Sequence, residues 1–287
     1  MTLLEEIMPW KTDGKRKNTG RKNVELIAGS ILLGLIILLL VFGNRINNLD
    51  YSTQNLSEAF SPMSLKHPLG TDNLGRDIWQ RLIYGGRVDL VIASIAVIFP
   101  FILGVLLGAI SGFFGKWVDM IIMRLADIAS AFPFYILIIS LVFVMGAGAK
   151  SIIIAITFVS WVAYARLVRG ETLVLKNQEY VTALKTEGFT SWYIIRKHII
   201  PNVLSQSAIY AMSDIVMNIG VIVTLSYFGL GITPPTPDWG QMMSDGQQFF
   251  AVGQYGMTLA PGIAAVIVSL TLSWLGDGLS KILKHEE

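Results

Sequence analysis

Residues 177–202, NQEYVTALKTEGFTSWYIIRKHIIPN, form the longest polar interruption between apolar segments in the second half of the chain. Their pattern predicts two short helices around a turn. Asn177 is placed to cap the first helix, and Glu179 sits in its first turn, where a negative charge suits the helix dipole. Gly188 follows the last good helical position and suits the left-handed conformation that ends a helix. Thr190 or Ser191 is placed to cap the second helix. Arg196, Lys197 and His198 occupy its last turn, and Pro201 marks its end. Tyr180, Val181 and Leu184 share one face of the first helix, and Trp192, Ile195 and Ile199 share one face of the second. Thr182, Lys185 and Glu187 point elsewhere. Such a pair is either a loop packed on its own protein, a reader of DNA, or a docking element for a soluble partner. The apolar segments on both sides argue against nucleic acid.

Those flanks decide the class. Of 287 residues, 53% are hydrophobic and only 15% charged, less charge than a soluble domain of this length carries. Several runs reach the ~20 apolar residues that cross a bilayer. The fold expected is an all-α polytopic membrane protein of six spans. They run over about 24–43, 88–113, 117–145, 151–173, 203–230 and 258–279. Residues 1–23 form a basic N-terminal segment, with Lys11, Lys15, Arg16, Lys17, Arg21 and Lys22. The apolar run after it is too long for a signal peptide and lacks a small-residue cleavage site. Residues 44–87 form an outside segment with a short surface helix over Asp77–Tyr84, and 88–287 form the core domain with its loop at 177–202. The 231–256 loop holds Asp238 and Asp245 but no lysine or arginine, as expected of an outside loop. Lys281 and Lys284 follow the last span. Counting spans from the basic N-terminus puts both termini and the 177–202 pair in the cytoplasm.

Small residues at Gly104, Gly108, Ala109, Ser111 and Gly112 predict close helix packing. Pro133 predicts a kink in the third span. Arg124 and Asp127 lie three residues apart near the inner end of that span, and two readings stand: a functional charged site or a neutralised pair. Asp214 and Asn218 lie one turn apart in apolar surroundings, fitting either a solute path or hydrogen bonds between helices. His67, Asp72, Arg76 and Asp77 read as a salt-bridged, capped helix entry. There is no cysteine, and His67, His198 and His285 are far apart, so no metal site is expected. No phosphate-binding G-x-x-x-x-G-K-[ST] string occurs, and GFFGKW at 112–117 lacks its spacing and hydroxyl. ATP hydrolysis in that manner, and any cofactor of this chain, are therefore not expected. An ion-coupled carrier or a membrane-embedded enzyme are the remoter classes.

The 177–202 stretch resembles the "EAA loop" of ABC importer permeases: E-A-A, three residues, Gly, nine residues, I-x-L-P. Here those positions hold Thr182, Ala183 and Leu184, then Gly188, then His198, Ile200 and Pro201. The alanine, glycine and proline match, whereas the glutamate is replaced by Thr182 and the second alanine by Leu184. The strings HPLGTDNLGRD (67–77) and RLADIASAFPFYIL (124–137), with Pro235, Trp239 and Gly240, are similar to the dipeptide, oligopeptide and nickel permeases. The resemblance implies a type I importer permease fold and a bacterial cell-membrane location. It implies a heterodimer with a second homologous permease, two cytosolic ATPases that bind ATP and Mg, and an extracytoplasmic solute-binding protein. Coupling would run through Thr182, Ala183, Leu184, Lys185, Glu187, Gly188 and Pro201. The solute would be a di- or oligopeptide, or alternatively nickel or a metal–chelator complex.

Overall fold

The computed structural model describes residues 19–283. Every regular element in it is helical. In order these are α1 (Thr19–Phe42), α2 (Ile78–Phe114), α3 (Lys116–Ser130), α4 (Phe134–Met145), α5 (Ala149–Leu175), α6 (Glu179–Thr186), α7 (Ser191–Ile194), α8 (Ile200–Tyr227), α9 (Trp239–Gln247) and α10 (Gly256–Leu283). Five stretches are long and apolar enough to cross a membrane, and the pair α3–α4 makes a sixth if it counts as one bent span. The expected basic residues 11–17, and Lys284 and His285, lie outside the described residues.

Helix α2 is the spine, and α5 lies along it. Gly104, Gly108 and Gly112 recur every four residues and so form a stripe on one face. A Cβ at Gly104 would come within 2.3 Å of the Tyr164 Cβ, one at Gly108 within 2.5 Å of the Ala165 carbonyl oxygen, and one at Gly112 within 2.7 Å of the Thr172 Cβ. No larger side chain fits at this distance between helices. In lipid, where apolar contact with solvent tails offers no contrast, such close backbone approach is what holds helices together. Beside the stripe, Ile92, Ala93 and Ala96 of α2 pack with Ile152, Ala155 and Ile156 of α5 and Ile219 and Ile222 of α8.

Three elements differ from the expectation. The surface helix and the second span are one continuous helix, because Gly85 and Gly86 serve packing and do not turn the chain. A Cβ at Gly86 would sit 2.6 Å from the Trp239 ring. At ~1.5 Å per residue, α2 spans roughly 55 Å, well beyond a ~30 Å hydrocarbon core. At Pro133 the third span is broken rather than kinked: α3 and α4 meet at 85°. Proline disfavours a helical Phe132 before it and supplies no N–H to carry the helix on. Pro201 does not end the second short helix. The chain runs unbroken from Ser191 to Tyr227. Residues Ile195–Ile199 form a wide π turn, in which the Ile200 N–H reaches back to the Ile195 carbonyl. The widened turn makes room for the proline ring, which would otherwise press on the carbonyl four residues back.

At the end of the bundle that holds the N-terminus of α2, two distant segments clasp. Asp77 caps α2 by accepting from the Gln80 N–H at 2.8 Å. Arg76 pairs with Asp72 at 2.6 Å, and its guanidinium reaches Asp245 at 3.4 Å. Buried Arg81 lies 3.6 Å from the same two carboxylates. Asp238 caps the short helix α9 through the Gln241 N–H, and burial raises its carboxyl above the ordinary range. The Trp239 N–H donates to Asp89 at 3.0 Å and the indole N–H to the Leu82 carbonyl at 2.9 Å. Arg87 donates to the carbonyls of Leu40 and Val41, closing the C-terminus of α1.

Candidate functional site

At the opposite end, α6 and α7 form the expected helix pair. Gly188 turns the chain between them with φ of +87° and nothing within 4 Å of where a Cβ would be. It closes α6 by donating to the Lys185 carbonyl, while the Phe189 N–H returns to Leu184. Thr190 caps α7, its hydroxyl accepting from the Tyr193 N–H. Asn177 does not cap α6. Gln178 occupies that position without a side-chain bond, and the Asn177 amide instead donates back to the Leu173 carbonyl at 3.0 Å, because α5 reaches Leu175 and leaves no room for an earlier start.

The pair is anchored from beneath. Val181, Ile194, Ile195 and Ile199 are buried among Val105, Ala109, Val168 and Val203. Each such side chain contributes roughly 1.5–3 kcal/mol relative to exposure. Trp192, expected on the apolar face, is 60% exposed and leans edge-on against Phe114 instead. The Lys176 ammonium donates to the Gly112 carbonyl at 2.7 Å, and Lys185 sits 5.0 Å over the Phe113 ring. Just beyond, Arg169 of α5 grips Asp119 of α3 through two hydrogen bonds of 2.5 and 2.6 Å. The helix pair is thus tied to the α2–α3 corner. No short-range pattern signals a partner fifty residues away.

The outer surface of the pair has no such partners. Thr182, Ala183, Glu187 and Gly188 are exposed on it, Leu184 is half-buried, and Lys185, also exposed, turns its ammonium back towards Phe113. Phe189 and Tyr193 stack at 4.9 Å on this surface. Pro201 sits at the start of α8, exposed.

A cavity of about 290 Å³ opens between α5, α8 and the α3–α4 break, lined among others by Ser130, Phe134, Ser160, Arg166, Tyr210 and Asp214. Asp214 is buried and accepts from the Tyr164 hydroxyl at 2.9 Å. Asn218 does not line the cavity. It is fully buried one turn further along α8, with neither side-chain atom hydrogen-bonded. Asp127 lies 3.1 Å from Arg166 and 3.9 Å from Arg124. The expected pair is therefore the weaker of two: Arg124 is 77% exposed on its own helix, whereas Arg166 reaches across from α5. Among the described residues, no group of three His, Asp or Glu is placed to hold a metal ion.

Residues 104–285 match the profile of the binding-protein-dependent transport system inner membrane component. The chain belongs to this family. It is 35% identical over 96% of its length, and 90% of the relative's, to a dipeptide transport system permease protein of Alkalihalophilus pseudofirmus. It is 38% identical over 92% of its length, and 86% of the relative's, to an oligopeptide transport system permease protein of Bacillus subtilis. It is 34% identical over 96% of its length, and 90% of the relative's, to a glutathione transport system permease protein of Pectobacterium atrosepticum. The fold is also similar to a chain of an inward-facing methionine ABC transporter, with a TM-score of 0.57 at 19% identity over 72% of this chain and 96% of that one. The chain is thus a permease subunit of an ABC importer, with the helical membrane fold of that class.

Proposed function

We propose that this permease forms half of the path through which short peptides enter a bacterial cell, driven by ATPases that dock on the α6–α7 pair. The observation that carries the reading is the pair itself. It is rigidly seated below by Val181, Ile194, Ile195 and Ile199, yet bare above at Ala183, Glu187 and Gly188. A surface fixed to its own bundle and unpartnered outward suits transmission of movement. The 231–256 segment lies at the other end and holds no lysine or arginine, which supports placing the pair and both termini in the cytosol.

ATP and Mg belong to two partner ATPases, since this chain has no phosphate-binding loop. Closure of the ATPases displaces the pair as a lever, and the contacts of Lys176 with Gly112 and Arg169 with Asp119 carry the displacement into α2 and α3. The exposed apolar residues of α3 and α4, among them Trp117, Phe143 and Val144, supply a surface for a second, homologous permease and for lipid. Asp214, with Ser130, Ser160, Arg166 and Tyr210, supplies the polar groups that the cavity offers to solute, and Asn218 is the next polar position along α8. A solute-binding protein delivers the cargo from outside.

The relatives' cargoes, dipeptides, oligopeptides and glutathione, are all peptides, which favours a peptide over nickel or a metal chelate. The test is uptake by the reconstituted complex with its binding protein. ATP-dependent accumulation of labelled di- and tripeptides, unaffected by excess nickel, is expected. Accumulation of a metal chelate with no peptide uptake would replace the substrate, and uptake driven by an ion gradient without ATP would remove the class.

A further inference from the structure

A cavity of about 550 Å³ with an almost wholly apolar lining opens between α1 and α10. Its origin is a change of partner along α1. In the first half of α1 the two helices touch. A Cβ at Gly29 would come within 3.0 Å of the Leu275 Cγ, and one at Gly278 within 2.8 Å of the Leu26 Cβ. Towards its C-terminus α1 is drawn to α2 instead. The Leu40 side chain comes within 2.9 Å of where a Gly86 Cβ would be, and the Trp79 indole N–H donates to the Gly43 carbonyl at 2.8 Å. The helices part, and a wedge opens between them. Ile36 and Leu40 line it from α1, Ala260 and Ala264 from α10, and Trp79 and Leu82 from α2.

Water does not suit this space, because an ordered water needs several polar partners. The indole N–H groups of Trp79 and Trp239, which reach the lining, are already given to the Gly43 and Leu82 carbonyls. An empty gap of this size is foreign to a packed protein, whose voids rarely exceed a water molecule. The groove runs along stretches of α1 and α10 that are apolar enough to cross a membrane. It follows α10 from Gly256 to Val268, roughly 18 Å of helix, close to the ~15 Å depth of one leaflet's hydrocarbon. Its rims continue into the lipid-facing surface, where Leu38 and Val41 of α1 and Leu259 and Val266 of α10 are exposed. Tyr255, exposed at the end nearest α9, is a residue type that sits at headgroup level. A protein helix ~10 Å across and as long as the groove would need roughly 1,400 Å³, far more than the groove offers. Residues before 19 and after 283 join α1 and α10 at the other end of these helices. The faces of α3 and α4 offered to a second permease belong to helices packed on α2 and α5, whereas α1 packs on α10 and α2.

We propose that the groove holds one acyl chain of a membrane phospholipid, seated between α1, α2 and α10 as a fixed part of the folded permease. The chain fills the wedge and joins the outer half of α1 to α10, which α1 touches directly only near its start. A methylene chain walled in by three helices makes many more close contacts than one lying on a single exposed face, so it exchanges more slowly with the bilayer. The inference holds whichever side of the membrane this end faces, and whatever the cargo.

The test uses the whole complex in vesicles of phosphatidylethanolamine and phosphatidylglycerol. A fraction of the phosphatidylethanolamine carries a diazirine midway along one acyl chain. The vesicles are fused with an excess of unlabelled ones, irradiated at intervals, and the adducts located by mass spectrometry. Adducts at Ile36, Leu40, Ala260 or Ala264 should outlast those at Ile31 and Leu270, which are exposed and do not line the groove, by about fivefold or more. Ala264→Phe fills the wedge and should lower the persistent adducts by about the same factor, whereas Leu270→Phe should leave them unchanged. Ala260→Leu, a smaller filling, should lower them less and serves if Ala264→Phe does not fold. Phospholipid added back to the delipidated complex should raise the unfolding temperature of wild type and of Leu270→Phe, and raise that of Ala264→Phe little, since the ring stands where the acyl chain would. Groove adducts that fade as fast as those at Ile31 and Leu270 would overturn the proposal. So would adducts undiminished in both filled variants, or a photoreactive phenylalanine analogue at Ile263 that joins another protein chain instead of lipid.

Discussion

The two ends of the bundle treat charge in opposite ways. At the end with α9, Arg76, Arg81, Asp72 and Asp245 meet across as many as 169 residues of sequence, and Asp89 and Asp238 are wholly buried. There the chain pairs charges drawn from distant segments, and 67–89 and 238–249 are joined through them. At the end with α6 and α7, Arg196 and Lys197 are exposed, Glu187 is exposed, and the buried side is purely aliphatic. A surface cross-linked by ion pairs from distant segments resists deformation, and one anchored by aliphatic residues but outwardly bare is made to be gripped by something else. The stripe Gly104–Gly108–Gly112 and its α5 partner connect the two.

If the connection is rigid, damage to it should be the most severe. Gly104→Val puts atoms inside the contact with Tyr164 and Trp161, and overpacking should cost on the order of 3 kcal/mol or more. Little folded protein should be recovered, by size-exclusion chromatography, and no uptake. Normal yield would show that α2 and α5 are not tightly joined.

Gly188→Val separates the ends. The site is spacious, so the cost is the backbone conformation alone, about 1–2 kcal/mol. Membrane insertion and the outer clasp should survive, whereas uptake should fall about tenfold and ATPase stimulation by loaded binding protein should weaken. Unimpaired uptake would mean the pair is not the lever.

The inner rim of the cavity should respond less. Single reversals Asp127→Lys and Arg166→Glu should each lower uptake a fewfold, and the two together should restore most of it, because these groups are 3.1 Å apart. Pairing Asp127→Lys with Arg124→Glu should restore little, and Arg124→Glu alone should change uptake by less than twofold, as expected of an exposed pair at 3.9 Å. Equal rescue by both partners would contradict the geometry.

What could be read in the sequence were features with local causes. Apolar length marked the spans, the four-residue spacing of small residues marked the α2 face, and Gly188 with Thr190 marked the turn and its cap. What could not be read depended on distant partners. The surface helix and the second span look like separate elements until Trp239 is seen to pack on Gly85 and Gly86 between them. Pro201 looks like a stop until the π turn before it absorbs the ring. Arg124 looks like the partner of Asp127 because it is near in sequence, whereas Arg166 comes from another helix. The helix α9 was hidden among prolines and glycines, and only its Asp238 cap hinted at it.

The most direct test places a photoreactive phenylalanine analogue at Glu187 on the helix pair and, separately, at Gln248 beside α9, both exposed. Irradiation of the assembled importer should join Glu187 to an ATPase subunit and Gln248 to the solute-binding protein or to nothing. An ATPase adduct from Gln248, with none from Glu187, would contradict the account.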